Sequence, residues 1–436
     1  MTDDLIDSGI DNGIDNGIDH RMDTAADQPG HAVSASIRDA RGELIIGGIP
    51  VSRLADRMGG TPFYAYDRTA LSRRAAHWRA AMPERLRLHY ALKANPMPAL
   101  VQHLRGLTDG FDVASLGELQ VALDTGIPAG RISFAGPGKT DLELRAAVAA
   151  GITLHLESAG ELERIARIGH AIGVRPSVAV RVNPDFELKS SGMKMSGGPK
   201  PFGVDAEQVP ELLAHLGTLP VGFRGFHIFT GSQNLRAEAI IEAHTRTLAL
   251  AERLARQAPA PVTSLNLGGG LGIPYFPGDQ PLDLAPIAAN LAGCIATLGP
   301  GLRDAELVME LGRYLVGEAG IYVCQVIDRK VSRGRTYLVT DGGLHQHLAA
   351  SGNLGQIIRK NFPVIAAARA APVGTRETVT VVGPLCTPLD LLADQIELPR
   401  CAPGDLIAIL QSGAYGYSAS PLSFLSHPPP GQALVG

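Results

Sequence analysis

The chain has 436 residues, a hydrophobic fraction of 45% and a net charge of −4 that is not clustered. That balance suits a globular protein with a substantial core and excludes a disordered chain, and it gives no basis for a nucleic-acid or anionic-membrane partner. Four widely spaced cysteines, Cys294, Cys324, Cys386 and Cys401, form no CxxC pair and lack histidines at metal-ligand spacing, so they read as reduced thiols and no metal is expected.

In chain order, residues 1–34 come first as an acidic tail. IDSGIDNGIDNGID repeats every four residues, buries nothing and breaks any helix it starts, so the tail is expected to be disordered. It lacks the basic start and apolar middle of a secretory signal, and no later apolar run reaches about 18 residues. A soluble cytoplasmic protein is the expectation. Residues 35–60 contain ELIIGG (43–48), which reads as a strand added to a β domain further along.

Residues 61–318 alternate apolar runs with helical stretches. The runs are LRLHYAL (86–92), GFDVAS (110–115), ISFAG (132–136), TLHLES (153–158), SVAVRVN (177–183), GFRGFHIF (222–229), SLNLGGG (264–270) and ELVMELG (306–312). Helical periodicity falls between them, as in 116–126, 158–173 and 237–257. Eight such units suit a (β/α)8 TIM barrel, although a doubly wound sheet alternates too. The polar residues favour the barrel. Lys93, Asp112, Glu157, Arg181, His227, the glycines 268–270 and Glu310 all fall at or just beyond the C-terminal ends of the runs, the face on which barrels carry chemistry. Residues 319–436 change character: YVCQVIDRKV, RTYLVTD, ETVTVVGPLC and DLIAILQS read as a C-terminal β-rich, barrel-like domain.

Lys93 is one of only seven lysines against thirty-two arginines. An arginine at that place would serve a salt bridge better, but only an amine can lose its proton and attack a carbonyl. Glycines 268–270 after a strand suit an anion, and ELGR (310–313) offers a carboxylate and a guanidinium. A lysine, an anion cradle and an acid together suit a ligand with an aldehyde, a phosphate and a basic ring nitrogen.

HYALKANP, FDVASLGEL, GFHIFTGSQ, LNLGGG, ELGR, VVGPLCTPLD and SGAYG occur in the order found in fold-type III pyridoxal-phosphate decarboxylases. The chain resembles that family, the diaminopimelate and ornithine/arginine decarboxylases, from about residue 40 to 430. Its wording is closest to a subgroup associated with exosortase A systems. The resemblance implies an alanine racemase-like barrel with a β domain, pyridoxal 5'-phosphate as cofactor, α-decarboxylation of an amino acid, and a homodimer with shared active sites. Lys93 matches the lysine that binds the cofactor as a Schiff base, and Glu310 matches the acid paired with its ring nitrogen. Asp112 and Phe229 match further cofactor positions. Gly268, Gly269, Gly270, Ser232, Gly312, Arg313 and Tyr415 match phosphate-binding positions. Cys386 matches a catalytic thiol that reaches into the partner's site, and Thr387, Asp390 and His345 fall where substrate is bound.

The chain departs from the family at three places. Phe229 stands where a ring-stacking histidine is usual; His227, two residues earlier, reads either as a core histidine or as a catalytic one. Ala349 and Ala350 replace an Arg-Pro pair whose arginine clamps a distal carboxylate. Thr387 replaces an acid that receives a distal amine, and Asp390, three residues on, reads as a substrate contact or as a turn or cap residue. A substrate whose far end is amide- or thioester-linked, for instance to a carrier protein, needs neither clamp. Residues 189–205, holding Lys189, Lys194 and Lys200, read as a surface loop or a lid. Two rivals are an amino-acid racemase, which would pair the ring nitrogen with arginine rather than Glu310, and a non-catalytic regulatory homologue, which would not need Lys93, Cys386 and Tyr415.

Overall fold

The structure is a computed structural model that describes residues 31, 38–40, 42–186, 193–194, 197–367 and 376–436. The acidic tail lies almost wholly outside the described residues, as does part of the 189–205 segment.

Eight parallel strands close into a barrel: Leu86–Ala91, Gly110–Val113, Ile132–Phe134, Thr153–Leu156, Ser177–Asn183, Gly222–Ile228, Ser264–Asn266 and Glu306–Leu311. Closure comes from Glu306–Leu311 lying beside Leu86–Ala91, with Leu307 opposite Leu86 and Leu311 opposite Tyr90. Each strand lies within one of the eight runs read from sequence. The helices between them begin and end on local chemistry. Thr140 and Glu143 form a capping box at the start of Asp141–Ala150, and Gly151 ends that helix at φ 75°. Ser158 caps Ala159–Ile172 by accepting the N–H of Glu161.

The barrel interior is unusually polar. Branched apolar side chains fill most barrels of this type. Here His89, Asp112, Ser133, His155 and Asn266 line a cavity of about 180 Å³ that reaches the N-terminal strand ends at Arg87 and Glu306. One oxygen of Asp112 takes a hydrogen bond from Ser133 and lies 3.3 Å from Nδ1 of His89.

The β domain is built on the long strand Gly320–Ser332. Its first half pairs with Phe63–Asp67 on one side and Leu406–Ile409 on the other, and its second half pairs with Arg335–Thr340. Arg376–Val382 and Leu391–Pro399 extend the sheet. Phe63–Asp67, assigned by sequence to the start of the barrel, therefore belongs to the β domain, where it also pairs with Gly431–Val435. Its FYAY is buried at every position, so no alternation marks it as a strand. ELIIGG forms the short hairpin Ile45–Ile46 and Ile49–Pro50, and Leu44 and Ile46 pack with Phe63, Ala65, Ile321 and Val323. Among the described residues no helix is long and apolar enough to cross a membrane.

Candidate active site

Lys93 sits in the 3-10 turn Leu92–Ala94 that follows the first barrel strand. Leu92 and Ala94 are buried, so the turn is anchored on both sides of the lysine and presents it at the rim. The β domain holds this turn in place. The N–H of Tyr415 donates to the carbonyl of Ala94 (2.8 Å), Oγ of Ser418 to that of Lys93 (3.3 Å), and Nδ2 of Asn95 to that of Gly413 (3.0 Å). Tyr415 adopts φ 54°, a left-handed conformation that a tyrosine reaches only under constraint.

Nζ of Lys93 lies 3.7 Å from Oε1 of Glu310 and 5.3 Å from the centroid of the Phe229 ring. The other oxygen of Glu310 faces into the barrel. Nδ2 of Asn266 donates to Oε2 at 3.3 Å, and Nε2 of His227 stands 3.3 Å from the same atom, at contact distance but off the line of a good hydrogen bond. Burial alone would raise the pKa of Glu310, but His227, Lys93 and Arg181 outweigh it and hold the carboxyl well below its usual range. For Lys93, burial pulls the pKa down, and Glu310 and Tyr415 more than offset this, leaving it raised. Glu310 is thus a fixed anion facing the lysine.

The glycine turn owes its composition to backbone packing. A Cβ on Gly269 would fall 1.8 Å from the carbonyl oxygen of Glu310, and one on Gly270 (φ 86°) 2.2 Å from that of Gly231. Gly268 has φ 70°, and its N–H is tied by Oδ1 of Asn266 at 2.7 Å. Only glycine lets this turn press against both neighbouring strand ends. Gly312 serves likewise, since a Cβ there would lie 2.9 Å from that of Ala94. Ser232 follows in the short strand Gly231–Ser232, paired with Met193–Lys194. Arg313 donates to the hydroxyl of Tyr275 (2.9 Å) and stacks 4.7 Å from the Tyr415 ring.

Around the rim, Glu157 accepts from Arg181 (2.8 Å) and from the N–H groups of Gly136 and Gly203 (both 2.7 Å). One carboxylate thereby fastens three strand-end loops, including the described end of the 189–205 segment.

These residues fit pyridoxal phosphate. A primary amine, a fixed anion and an aromatic ring converge on one point, and a glycine turn too tight for any Cβ stands beside them. Asn266, Asn95 and Tyr275 were not picked out from sequence. Asn266 alone carried a signal, standing two positions before the glycines on the inward register of its strand.

The residues expected at the substrate lie apart from this group. Cys386 is exposed and Thr387 half-buried in the loop between Arg376–Val382 and Leu391–Pro399. Asp390 has a different task from the substrate contact expected. It is 2% exposed, and its two oxygens accept the N–H groups of Leu344 (2.6 Å) and Leu385 (2.8 Å), so both are spent on joining two loops. His345 is fully buried, 4.9 Å from the ring of His427, and presents nothing to solvent. Burial and then His427 push its pKa down to about 4.

Residues 68–317 match the family model of the pyridoxal-dependent decarboxylases, pyridoxal binding domain. The chain is 36% identical to the L-glutamyl-(BtrI acyl-carrier protein) decarboxylase of Niallia circulans over 86% of this chain and 88% of that one. It is 34% identical to the diaminopimelate decarboxylase of Aquifex aeolicus over 87% of each. The crystal structure of diaminopimelate decarboxylase from Helicobacter pylori complexed with L-lysine superposes with a TM-score of 0.75 at 28% identity, covering 85% of this chain and 90% of that one. A family match of that length, with relatives above 30% identity across most of both chains, makes this chain a member of the pyridoxal-dependent decarboxylases, carboxy-lyases whose cofactor is pyridoxal 5'-phosphate.

Proposed function

We propose that this enzyme removes the α-carboxylate of an amino acid whose far end is joined to a carrier rather than carrying a free charge. The observation that supports this most directly is the state of the distal positions. Ala349 and Ala350 are both buried and apolar, Thr387 is neutral, and the carboxylate of Asp390 is already occupied by two backbone donors. A doubly charged free amino acid would leave its distal charge unpaired in a desolvated cleft, a cost of several kcal/mol. The Niallia circulans relative, named as acting on a carrier-linked glutamyl group, has both chains matched over more than four fifths of their lengths.

When bound, pyridoxal phosphate supplies an aldehyde that joins to amines and a ring that accepts the electron pair left as carbon dioxide departs. The chain's residues divide the remaining work. Lys93 provides the amine to which the cofactor is attached. Glu310 would offer Oε1 to the ring nitrogen and favour its protonated form. Phe229 would give the ring an aromatic contact, without a proton to exchange. Gly268–Gly270, Ser232, Gly312, Arg313 and Tyr415 hold the phosphate. Cys386 donates the proton that takes the place of carbon dioxide.

Cys386 does so in the partner's site of a head-to-tail homodimer. Supporting this, Leu354, Ile357, Ile358 and Leu389 are exposed large apolar side chains. Their two loops, one of which bears Cys386, are joined by Asn353 donating to Leu389 and Arg359 to Leu391. An apolar group of this kind next to a catalytic thiol suits an interface.

The test is carbon dioxide release by purified holoenzyme given free diaminopimelate, free glutamate, or a glutamyl thioester on an acyl-carrier protein. Release from the thioester alone is the expected result. Turnover of free diaminopimelate with no release from any carrier-linked aminoacyl group would reverse the reading.

A further inference from the structure

The two oxygens of Glu310 have separate surroundings. Oε1 faces Lys93 and the rim, whereas Oε2 faces the barrel interior, where it meets both Asn266 and His227 at 3.3 Å. His227 is 1% exposed and comes from a strand whose neighbour carries Asn266, with His227 directly opposite Asn266 in the register. Glu310 comes from the next strand. Three adjacent strands thus each send one side chain to the same point. Behind His227 lies His155, with ring centroids 4.5 Å apart, and His155 faces the polar cavity at the barrel's other end.

We infer that His227 and Asn266 form a clamp on Oε2 that sets the aim of Glu310, so that Oε1 points to the cofactor's ring nitrogen. Both are positioning residues, because neither is needed at the reacting atoms. A carboxylate on a flexible two-carbon stem, with one oxygen free, would rotate and share its charge between Lys93 and the ring nitrogen. Fixing Oε2 from the interior removes that freedom. His227 supplies a second point of contact on the side away from the lysine, and Asn266 ties the same oxygen to the glycine turn through its bond to Gly268. Aim at the ring nitrogen and position of the phosphate cradle are thereby set by one side chain. The electrostatics agree with this arrangement: of the neighbours that lower the pKa of Glu310, His227 acts most strongly. The apolar Phe229 at the stacking position is consistent as well. The histidine of this strand is engaged one layer lower.

This inference rests on Glu310 facing the ring nitrogen, and its test separates the two claims without needing the substrate. Purified cofactor-free protein is titrated with pyridoxal phosphate and with its analogue in which the ring nitrogen is replaced by CH, 2-formyl-3-hydroxy-4-methylbenzyl phosphate, and the ratio of the two dissociation constants is taken. A ratio is unmoved by a uniform loss of binding, so a merely structural role for His227 would leave it unchanged. Wild type is expected to favour pyridoxal phosphate by about tenfold or more, the scale of one charge-assisted contact. Glu310→Gln should abolish the preference; if it persists, the pairing of Glu310 with the ring nitrogen is wrong. His227→Leu and Asn266→Ala should each cut the preference to within about threefold, while His227→Gln, which keeps a donor near Oε2, should retain most of it. If Glu310→Gln removes the preference but His227→Leu and Asn266→Ala both leave it at the wild-type value, the clamp is refuted and the pairing stands. Should His227→Leu fail to fold, the Asn266→Ala and His227→Gln ratios decide between these outcomes.

Discussion

Nζ of Lys93 and Oε1 of Glu310 stand 3.7 Å apart at the mouth of the barrel, the lysine in the turn after the first strand and the acid near the end of the last. Neither could be brought to the other by local sequence, since more than two hundred residues separate them. The anion raises the lysine's pKa against the pull of burial, so the amine is kept protonated until Glu310 finds another cation. Glu310→Gln should therefore lower the pKa of Lys93 in cofactor-free protein. The pH profile of Lys93 labelling by an amine-selective acylating reagent should move to lower pH, with labelling below the midpoint about tenfold faster for each pH unit the profile moves. An unmoved profile would show that the two groups are not coupled.

The proposed attachment of the cofactor at Lys93 has a direct chemical readout. Borohydride reduction of holoenzyme should fix the pyridoxyl group to the peptide containing HYALKANP, found by mass spectrometry. Lys93→Ala should carry no such adduct and lose decarboxylation by on the order of 10³-fold or more, as expected when a group acting in covalent catalysis is removed. A pyridoxyl adduct on another lysine in the wild type would relocate the site.

Gly269→Ala should be severely damaging. Its added methyl would sit 1.8 Å from the carbonyl of Glu310, and backbone cannot give way as a flexible side chain can. We expect a loss of about 1–3 kcal/mol or more, typical of overpacking, with weaker pyridoxal phosphate binding because the strand end bearing Glu310 is displaced. Gly126→Ala offers a control for backbone strain alone, since φ there is 72° and a Cβ would meet nothing within 4 Å. If both variants unfold at the same urea concentration and bind the cofactor alike, close packing of the turn is not what requires glycine.

Acid should unfold the protein in part through a histidine. Nδ1 of His347 accepts the N–H of Ala350 (3.2 Å) and Nε2 pairs with Oγ of Ser412 (2.8 Å), so the buried ring has no room for a second proton. Burial pushes its pKa down to about 3, against about 6.5 in an unfolded chain. Below pH 6.5 the unfolded state binds a proton that the folded state refuses. The stabilisation is thus complete above pH 6.5 and falls progressively as pH drops toward 3, by about 2 kcal/mol at pH 5. The stability gap between wild type and His347→Asn, from urea unfolding, should narrow over that range. A gap independent of pH would show that His347 does not contribute.

The proposed shared-site dimer can be tested by mixing. Lys93→Ala and Cys386→Ala homodimers should each be nearly inactive. Subunit exchange should restore about a quarter of wild-type activity, because half of randomly paired dimers are hybrids and each hybrid has one intact site. No recovery after demonstrated exchange would place both residues in sites formed within one subunit.

Much of the site was legible in the sequence because its signals are local. Barrel strands end where apolar runs meet Gly, Asn or a charge, so Lys93, Glu310 and the glycines 268–270 could be put on one face from spacing alone. The helices expected from periodicity at 116–126, 158–173 and 237–257 are present, one or two residues shorter at one or both ends, at 116–124, 159–172 and 237–255. Phe63–Asp67 was not legible, because a strand buried on both faces shows no alternation and its partners lie at Gly320–Val323 and Gly431–Val435. For a related reason the sequence left Asp390 open between a substrate contact and a turn residue, and the structure favours the second. An acid near a catalytic motif resembles a ligand group until its two oxygens are seen to hold Leu344 and Leu385.

By itself, then, the order of motifs determined the family and the cofactor, since those depend on which groups follow which strand. Only the tertiary structure decided which oxygen of Glu310 faces Lys93 and which faces His227 and Asn266. That choice depends on the register of three neighbouring strands, and register is fixed by packing across the barrel between segments far apart in the chain.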